Sequence, residues 1–113
     1  MGIFDFFKKS KDIVEVDLIG KGGTGRVERY YDNGKGPLMS HNYLIEFKLN
    51  GKEQFFYRNG QIKFDWNWKG NEKDGTCKTY QENGQLVYEV HYKDGENIFE
   101  KRWAKNGKEI ESE

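Results

Sequence analysis

The run Gly20-Lys21-Gly22-Gly23-Thr24-Gly25 is the part of this sequence whose residue types come nearest to chemistry. Its glycine spacing fits a phosphate-binding loop. Such a loop needs a lysine on the phosphates and a Ser or Thr hydroxyl on magnesium, directly after the last glycine. Those positions hold Arg26 and Val27, and the residues that follow alternate like a strand rather than opening a helix whose N-terminus could hold an anion. The run therefore reads as a flexible turn joining strands at 13–19 and 26–31. Nucleophilic or acid–base catalysis needs a nucleophile beside a base, with a third group to orient the base. His41 falls in a connection after Pro37, and His91 faces away from the aromatic side of its strand. Cys77 has no histidine or basic cluster adjoining it in sequence. The carboxylates are plentiful but show no paired spacing. No catalytic residue, metal or cofactor is expected.

The aromatic residues are the second group. Trp66 and Trp68, with Tyr88 and Tyr92, could form a platform for a glycan or a protein, because Trp and Tyr dominate binding hot spots. Their shared strand parity favours the other reading, that they form the core face. The off-face residues Leu44, Phe56 and Val87 then become the better contact surface, with unpaired strand edges as a second route to a partner.

What must position these residues is a single domain, 1–113, since a chain of 113 residues is too short to split. Hydrophobic and charged residues balance at 35% and 34%, and mean hydropathy is -1.03, near the range where chains fail to fold. Aromatics at 16%, set in alternating patterns, place it instead among folded domains with a thin core. Nineteen basic and nineteen acidic residues give zero net charge and no basic footprint for nucleic acid. The single cysteine cannot form an internal disulfide and fits a reducing, cytoplasmic setting. No apolar run reaches the eighteen or so residues that span a bilayer. The start fits neither a signal peptide nor myristoylation, because Asp5 interrupts its apolar stretch and Phe6 stands where Ser or Thr is needed.

Asn-Gly pairs punctuate the chain at Asn33-Gly34, Asn59-Gly60, Asn83-Gly84 and Asn106-Gly107, at intervals of 26, 24 and 23 residues. Each follows one or two aromatics by a few positions. Asn-Gly is the strongest two-residue hairpin signal, since both central residues of a type I′ turn need positive φ. Between the turns the period is two. Tyr43, Ile45, Phe47 and Leu49 share one face, with Leu44, Glu46 and Lys48 on the other. Ile62, Phe64, Trp66 and Trp68 form a second such series, and Leu86, Tyr88, Val90 and Tyr92 a third. Weaker strands are expected at 53–57, 76–81, 98–103 and 108–111, and a longer connection at 35–42. The expected fold is all-β: an antiparallel meander of about nine strands in repeated β-hairpins, making a single curled sheet with a short N-terminal helix over 2–10. Its parts are an N-terminal helix or arm (1–11), N-terminal strands (12–54) and hairpin repeats (55–111). A sheet with one apolar face must be covered, by curling, by the helix, or by a second copy in a homodimer.

The segments Tyr80-Gln81-Glu82-Asn83-Gly84-Gln85-Leu86 and Tyr92-Lys93-Asp94-Gly95, with Phe56 to Ile62 as a further copy and 103–110 as a degraded one, resemble the MORN-repeat variant. That variant is best known from the YwqK-type antitoxins of bacteria. The resemblance covers roughly residues 55–110 and implies a cytoplasmic bacterial protein, without catalytic residues, that neutralises or scaffolds a partner. The leading expectation is thus a protein-binding repeat protein of antitoxin or immunity type, with a toxin as partner. A membrane-associated scaffold comes second, disfavoured by neutral charge, and a glycan-binding module on the Trp-rich strand third.

Overall fold

A computed structural model describes residues 21–110 of the chain. The helix expected over 2–10 and the strand expected over 13–19 lie outside the described residues. The rest is one open antiparallel sheet. Its strands are β1 (Gly25–Tyr30), β2 (Leu38–Ile45), β3 (Lys48–Leu49), β4 (Gly51–Phe56), β5 (Ile62–Lys69), β6 (Glu72–Lys73), β7 (Gly75–Tyr80), β8 (Leu86–Lys93), β9 (Glu96–Trp103) and β10 (Glu109–Ile110). The hydrogen-bonded order is β1-β2-β4-β5-β7-β8-β9-β10, with β3 beside β2 and β6 beside β5. The path follows sequence order, with β3 and β4 both lying against β2 and β6 and β7 both against β5, which is the expected meander.

Two kinds of turn close the hairpins, one at each end of the sheet, and their assignment reverses the expected one. At Asn59-Gly60, Asn83-Gly84 and Asn106-Gly107 only the glycine has positive φ (92°, 94° and 88°). These are three-residue loops ending in a left-handed glycine. Gly60 N–H donates to the Tyr57 carbonyl at 2.9 Å, and Asn59 Oδ1 accepts from Gln61 N–H at 2.9 Å. The same pattern recurs with Asn83 and Gln85, and with Asn106 and Lys108. Asparagine acts here as an Asx-turn acceptor. Asn33-Gly34 lies in a longer loop closed by Tyr31 N–H on the Pro37 carbonyl, with Asp32 and Asn33 both at φ 56°.

The two-residue turns with paired positive φ sit at the opposite end: Glu46-Phe47 (50°, 64°), Gly70-Asn71 (57°, 70°) and Asp94-Gly95 (51°, 84°). Gly22-Gly23 (64°, 76°) makes a fourth corner of the same kind. These corners begin at 22, 46, 70 and 94, so the unit repeats every 24 residues. The Glu46-Phe47 corner corrects the sequence reading. Residues 43–49 are not one strand, because the chain reverses after Ile45. The expected connection at 35–42 is largely strand β2 and contains His41.

The corners at 46, 70 and 94 are each tied to the previous repeat by a side-chain oxygen. Thr24 Oγ1 accepts Glu46 N–H at 3.2 Å, Asn50 Oδ1 accepts Gly70 N–H at 3.0 Å, and Asp74 Oδ1 accepts Asp94 N–H at 3.1 Å. Asn50 and Asp74 can reach because the strand bulges there. The step from His41 to Leu44 faces the longer step from Leu49 to Gln54, and Asp65 to Trp68 likewise faces Lys73 to Lys78. At the other end Tyr31 OH donates to the Phe56 carbonyl at 2.6 Å, and Tyr57 OH to the Tyr80 carbonyl at 2.7 Å. The next residue in that series is Gln81, whose buried Nε2 has no partner.

Cross-strand partners share a face. The register therefore places Ser40, Phe55, Phe64, Thr79 and Tyr88 on one side, and His41, Gln54, Asp65, Lys78, Glu89 and Lys101 on the other. Val27, Cys77 and Val90, each at most 4% exposed, lie on the first side, the core face. Among the described residues no large side chain is fully buried, and the molecule measures 50 × 33 × 17 Å. That thickness is one sheet with side chains on both sides, so the core is as thin as the composition predicts.

Candidate protein-docking surface

The aromatic face carries both tryptophans of β5. Glu53 pairs with Trp66 and Gly51 with Trp68 across β4 and β5, so alternation aligns both indoles with Phe64 and Phe55. Centroids are 5.7 Å apart for Phe55–Phe64, 4.8 Å for Phe64–Trp66 and 6.2 Å for Trp66–Trp68. Lys73 extends over them, its Nζ 4.5 Å from the Trp66 centroid and 5.3 Å from that of Tyr92. Glu53 Oε1 accepts the Trp68 Nε1–H at 2.9 Å. Burial pushes the Glu53 carboxyl up, against the opposing pull of the Trp68 bond and of Arg29 and Lys73. Lys73 and Glu53 are thus both engaged with the rings of this face.

The structure sorts the other candidates. Leu44 lies on the tryptophan face, pairing with Leu49 one repeat before Trp68 pairs with Lys73, and not on the off-face surface expected. Phe56 and Val87 are off-face, Phe56 with its ring 6.1 Å from that of His41. His41 Nε2 meets Gln54 Oε1 at 2.7 Å, and His91 Nε2 meets Glu89 Oε2 at 2.6 Å. Strands β4, β5 and β7 separate the two histidines. Burial raises the Cys77 thiol, which disfavours the nucleophilic thiolate. Among the described residues no group of three or more His, Cys, Asp and Glu is placed to hold a metal.

The glycine-rich run turns out to be the first repeat corner. Thr24 holds Glu46, and the Gly23 carbonyl accepts Phe47 N–H at 2.8 Å. The Phe47 ring lies so close over Gly23 that a Cβ there would sit 2.4 Å from it. This explains the glycine without any phosphate.

That contact exposes the feature the sequence did not reveal. Phe47 occupies the second position of a paired positive-φ corner, where the other repeats have Gly23, Asn71 and Gly95. Asn and Gly enter the left-handed region readily, whereas a bulky side chain there is a genuine outlier. Phe47 is 49% exposed even so, and Tyr43 and Ile45 on the adjoining end of β2 are 42% and 45% exposed. Three large apolar side chains within five residues therefore face solvent at one corner. The signal was present in the sequence as a 24-residue offset, Gly23 to Phe47 to Asn71 to Gly95, but continuous alternation from Tyr43 to Leu49 hid the turn.

The repeat geometry agrees with the comparison to known families. The MORN repeat variant matches residues 49–69 and 73–94. Each matched stretch opens at a bulge with its stapling Asn50 or Asp74 and runs through the hairpin that follows it, up to the corner. MORN repeats are generally protein- or membrane-binding and form a non-enzymatic repeat family. No curated protein matches the chain.

Proposed function

We propose that this chain is a non-catalytic protein-binding repeat module that receives its partner at the Tyr43–Ile45–Phe47 corner, with Phe56 and Val87 on the same off-core side. The observation that carries this reading is the strained, exposed Phe47. Holding a phenylalanine in the left-handed region costs about 1–2 kcal/mol. Strain of this kind concentrates at functional positions, and the corner itself requires only Asn or Gly. An aromatic anchor ringed by Tyr43 and Ile45 matches the composition of binding hot spots. Neutralisation of a toxin, in the manner of an antitoxin or immunity protein in the cytoplasm, is the finer form of this reading, suggested by the resemblance to YwqK-type antitoxins alone. It needs surface complementarity and no chemistry.

The test is Phe47→Asn, which copies the Asn71 corner. It is expected to raise stability by about 1 kcal/mol while abolishing recovery of a stoichiometric protein partner from the native cell. Recovery of the same partner by wild type and variant would overturn the corner assignment. Co-sedimentation with lipid vesicles, without any protein partner, would move the protein to the membrane-binding class, against which its zero net charge argues.

A further inference from the structure

A second surface lies across the sheet from that corner. Strand β9 pairs with β8 along its length, but on its outer side β10 meets only Arg102 and Trp103. Among the described residues, 96–101 thus present one side of their backbone unpaired. It is also the most exposed of the long strands, with Ile98 62% and Phe99 48% exposed. A long edge strand carrying apolar residues is a template for pairing with another strand. The question is which strand.

The segment is complementary to itself. Laid antiparallel on a second copy over its full length, Glu96 falls opposite Lys101, Asn97 opposite Glu100, and Ile98 opposite Phe99. Opposite charges meet at both ends and the apolar pair meets in the middle. Such pairing uses a two-fold axis perpendicular to the sheet, which keeps each side chain on its own face. Opposed residues must therefore share a face. In a regular strand Glu96 and Lys101 would point to opposite faces and this register would be forbidden.

β9 is not regular. Its pairing runs Lys93↔Glu96 and Tyr92↔Asn97, then slips by one residue to His91↔Phe99, Val90↔Glu100 and Glu89↔Lys101. The extra residue brings Glu96 and Lys101 to one face, opposite Lys93 and Glu89, and Asn97 and Glu100 to the other. Asn97 Oδ1 accepts Phe99 N–H at 3.1 Å and pins the bulge. The irregularity is what makes the edge match its own copy.

We propose that residues 96–101 form a homotypic interface through which two copies continue one sheet across two chains. The occupant is a second copy because the two halves of the segment supply each other's charges, and zero net charge leaves no overall repulsion between copies. An edge contact buries little side-chain area, so the dimer forms reversibly with concentration.

Sedimentation equilibrium of the full chain, from micromolar to millimolar concentration, tests this. The mass is expected to rise from 13.4 kDa toward twice that value. Glu96→Lys and Lys101→Glu should each weaken association by about tenfold, since either places two like-charged pairs across the axis. The double exchange should restore it. Ile98→Asp should weaken it as well, and circular dichroism melts check that every variant stays folded. A mass fixed at 13.4 kDa, or a dimer indifferent to the single exchanges, or a double exchange that fails to restore association, overturns the proposal. None of these outcomes bears on partner capture at Phe47.

Discussion

The corners at Glu46-Phe47 and Gly70-Asn71 share a backbone but not a chemistry. Both are two-residue turns with paired positive φ, and both have the first N–H held by an oxygen of the preceding repeat. At the second corner Asn71 fits its conformation and adds a bond, its Oδ1 accepting Leu49 N–H at 2.7 Å. At the first, Phe47 adopts the same conformation against its preference, covers Gly23 and leaves its ring half in solvent. What a repeat needs for folding shows in what its corners have in common. Under the proposed function, what one repeat does for a partner shows where a residue departs from that need at a cost.

The aromatic face is framework in this account, so Trp66→Ala should cost about 3 kcal/mol in urea unfolding, while leaving any residual folded protein able to bind. Binding lost without a stability loss would make the tryptophans the docking site instead. Asn71→Phe installs the strained corner where no function demands it and removes the Leu49 bond. A loss of about 2 kcal/mol is expected, and a neutral result would show that these corners tolerate bulky residues and remove the argument from Phe47. Asp74→Ala cuts one inter-repeat tie and should cost about 1 kcal/mol, read from the same unfolding curves.

The smallest effect concerns pH. Burial raises the Glu53 carboxyl, so the folded chain takes up that proton more readily than the unfolded one. The associated stability is complete below the ordinary carboxylate range and declines as pH climbs through the raised folded value. Glu53→Gln keeps an acceptor for Trp68 Nε1–H and should flatten the stability profile just above pH 4.5. An unchanged slope would mean that Glu53 is better hydrated than its position implies.

Much of the fold could be read from residue order. Alternation located β5 and β8, and the Asn-Gly pairs located one end of every hairpin from Asn33 to Gly107. The turn chemistry was misassigned because Asn-Gly serves two hairpin geometries, and only three-dimensional context selects between paired left-handed residues and an Asx acceptor followed by one left-handed glycine. β2 was misplaced for the opposite reason. Glu46-Phe47 carries no turn residue, and a turn made from strand-forming side chains is invisible to composition. The corner proposed for docking was hidden by that same error, which also put Leu44 and Tyr43 on the wrong sides. The bulge at Ile98 left no trace in the pattern, since Glu96-Asn97-Ile98-Phe99 alternates too weakly to show a slip.

The ties from Asn50 and Asp74 have a consequence for the length of the molecule. Asn50-Gly51 and Asp74-Gly75 are equivalent junctions, with both glycines left-handed at 79° and 91°. Excising 51–74 would splice Asn50 directly to Gly75 and hand its oxygen to Asp94, leaving a shorter sheet with the corners at 46 and 94 still anchored. Cutting one residue more or fewer would leave a donor stranded and reverse the two faces of everything downstream. Lengthening or trimming at these junctions by whole units keeps every such tie in place, so there the span of the sheet changes in steps of one repeat.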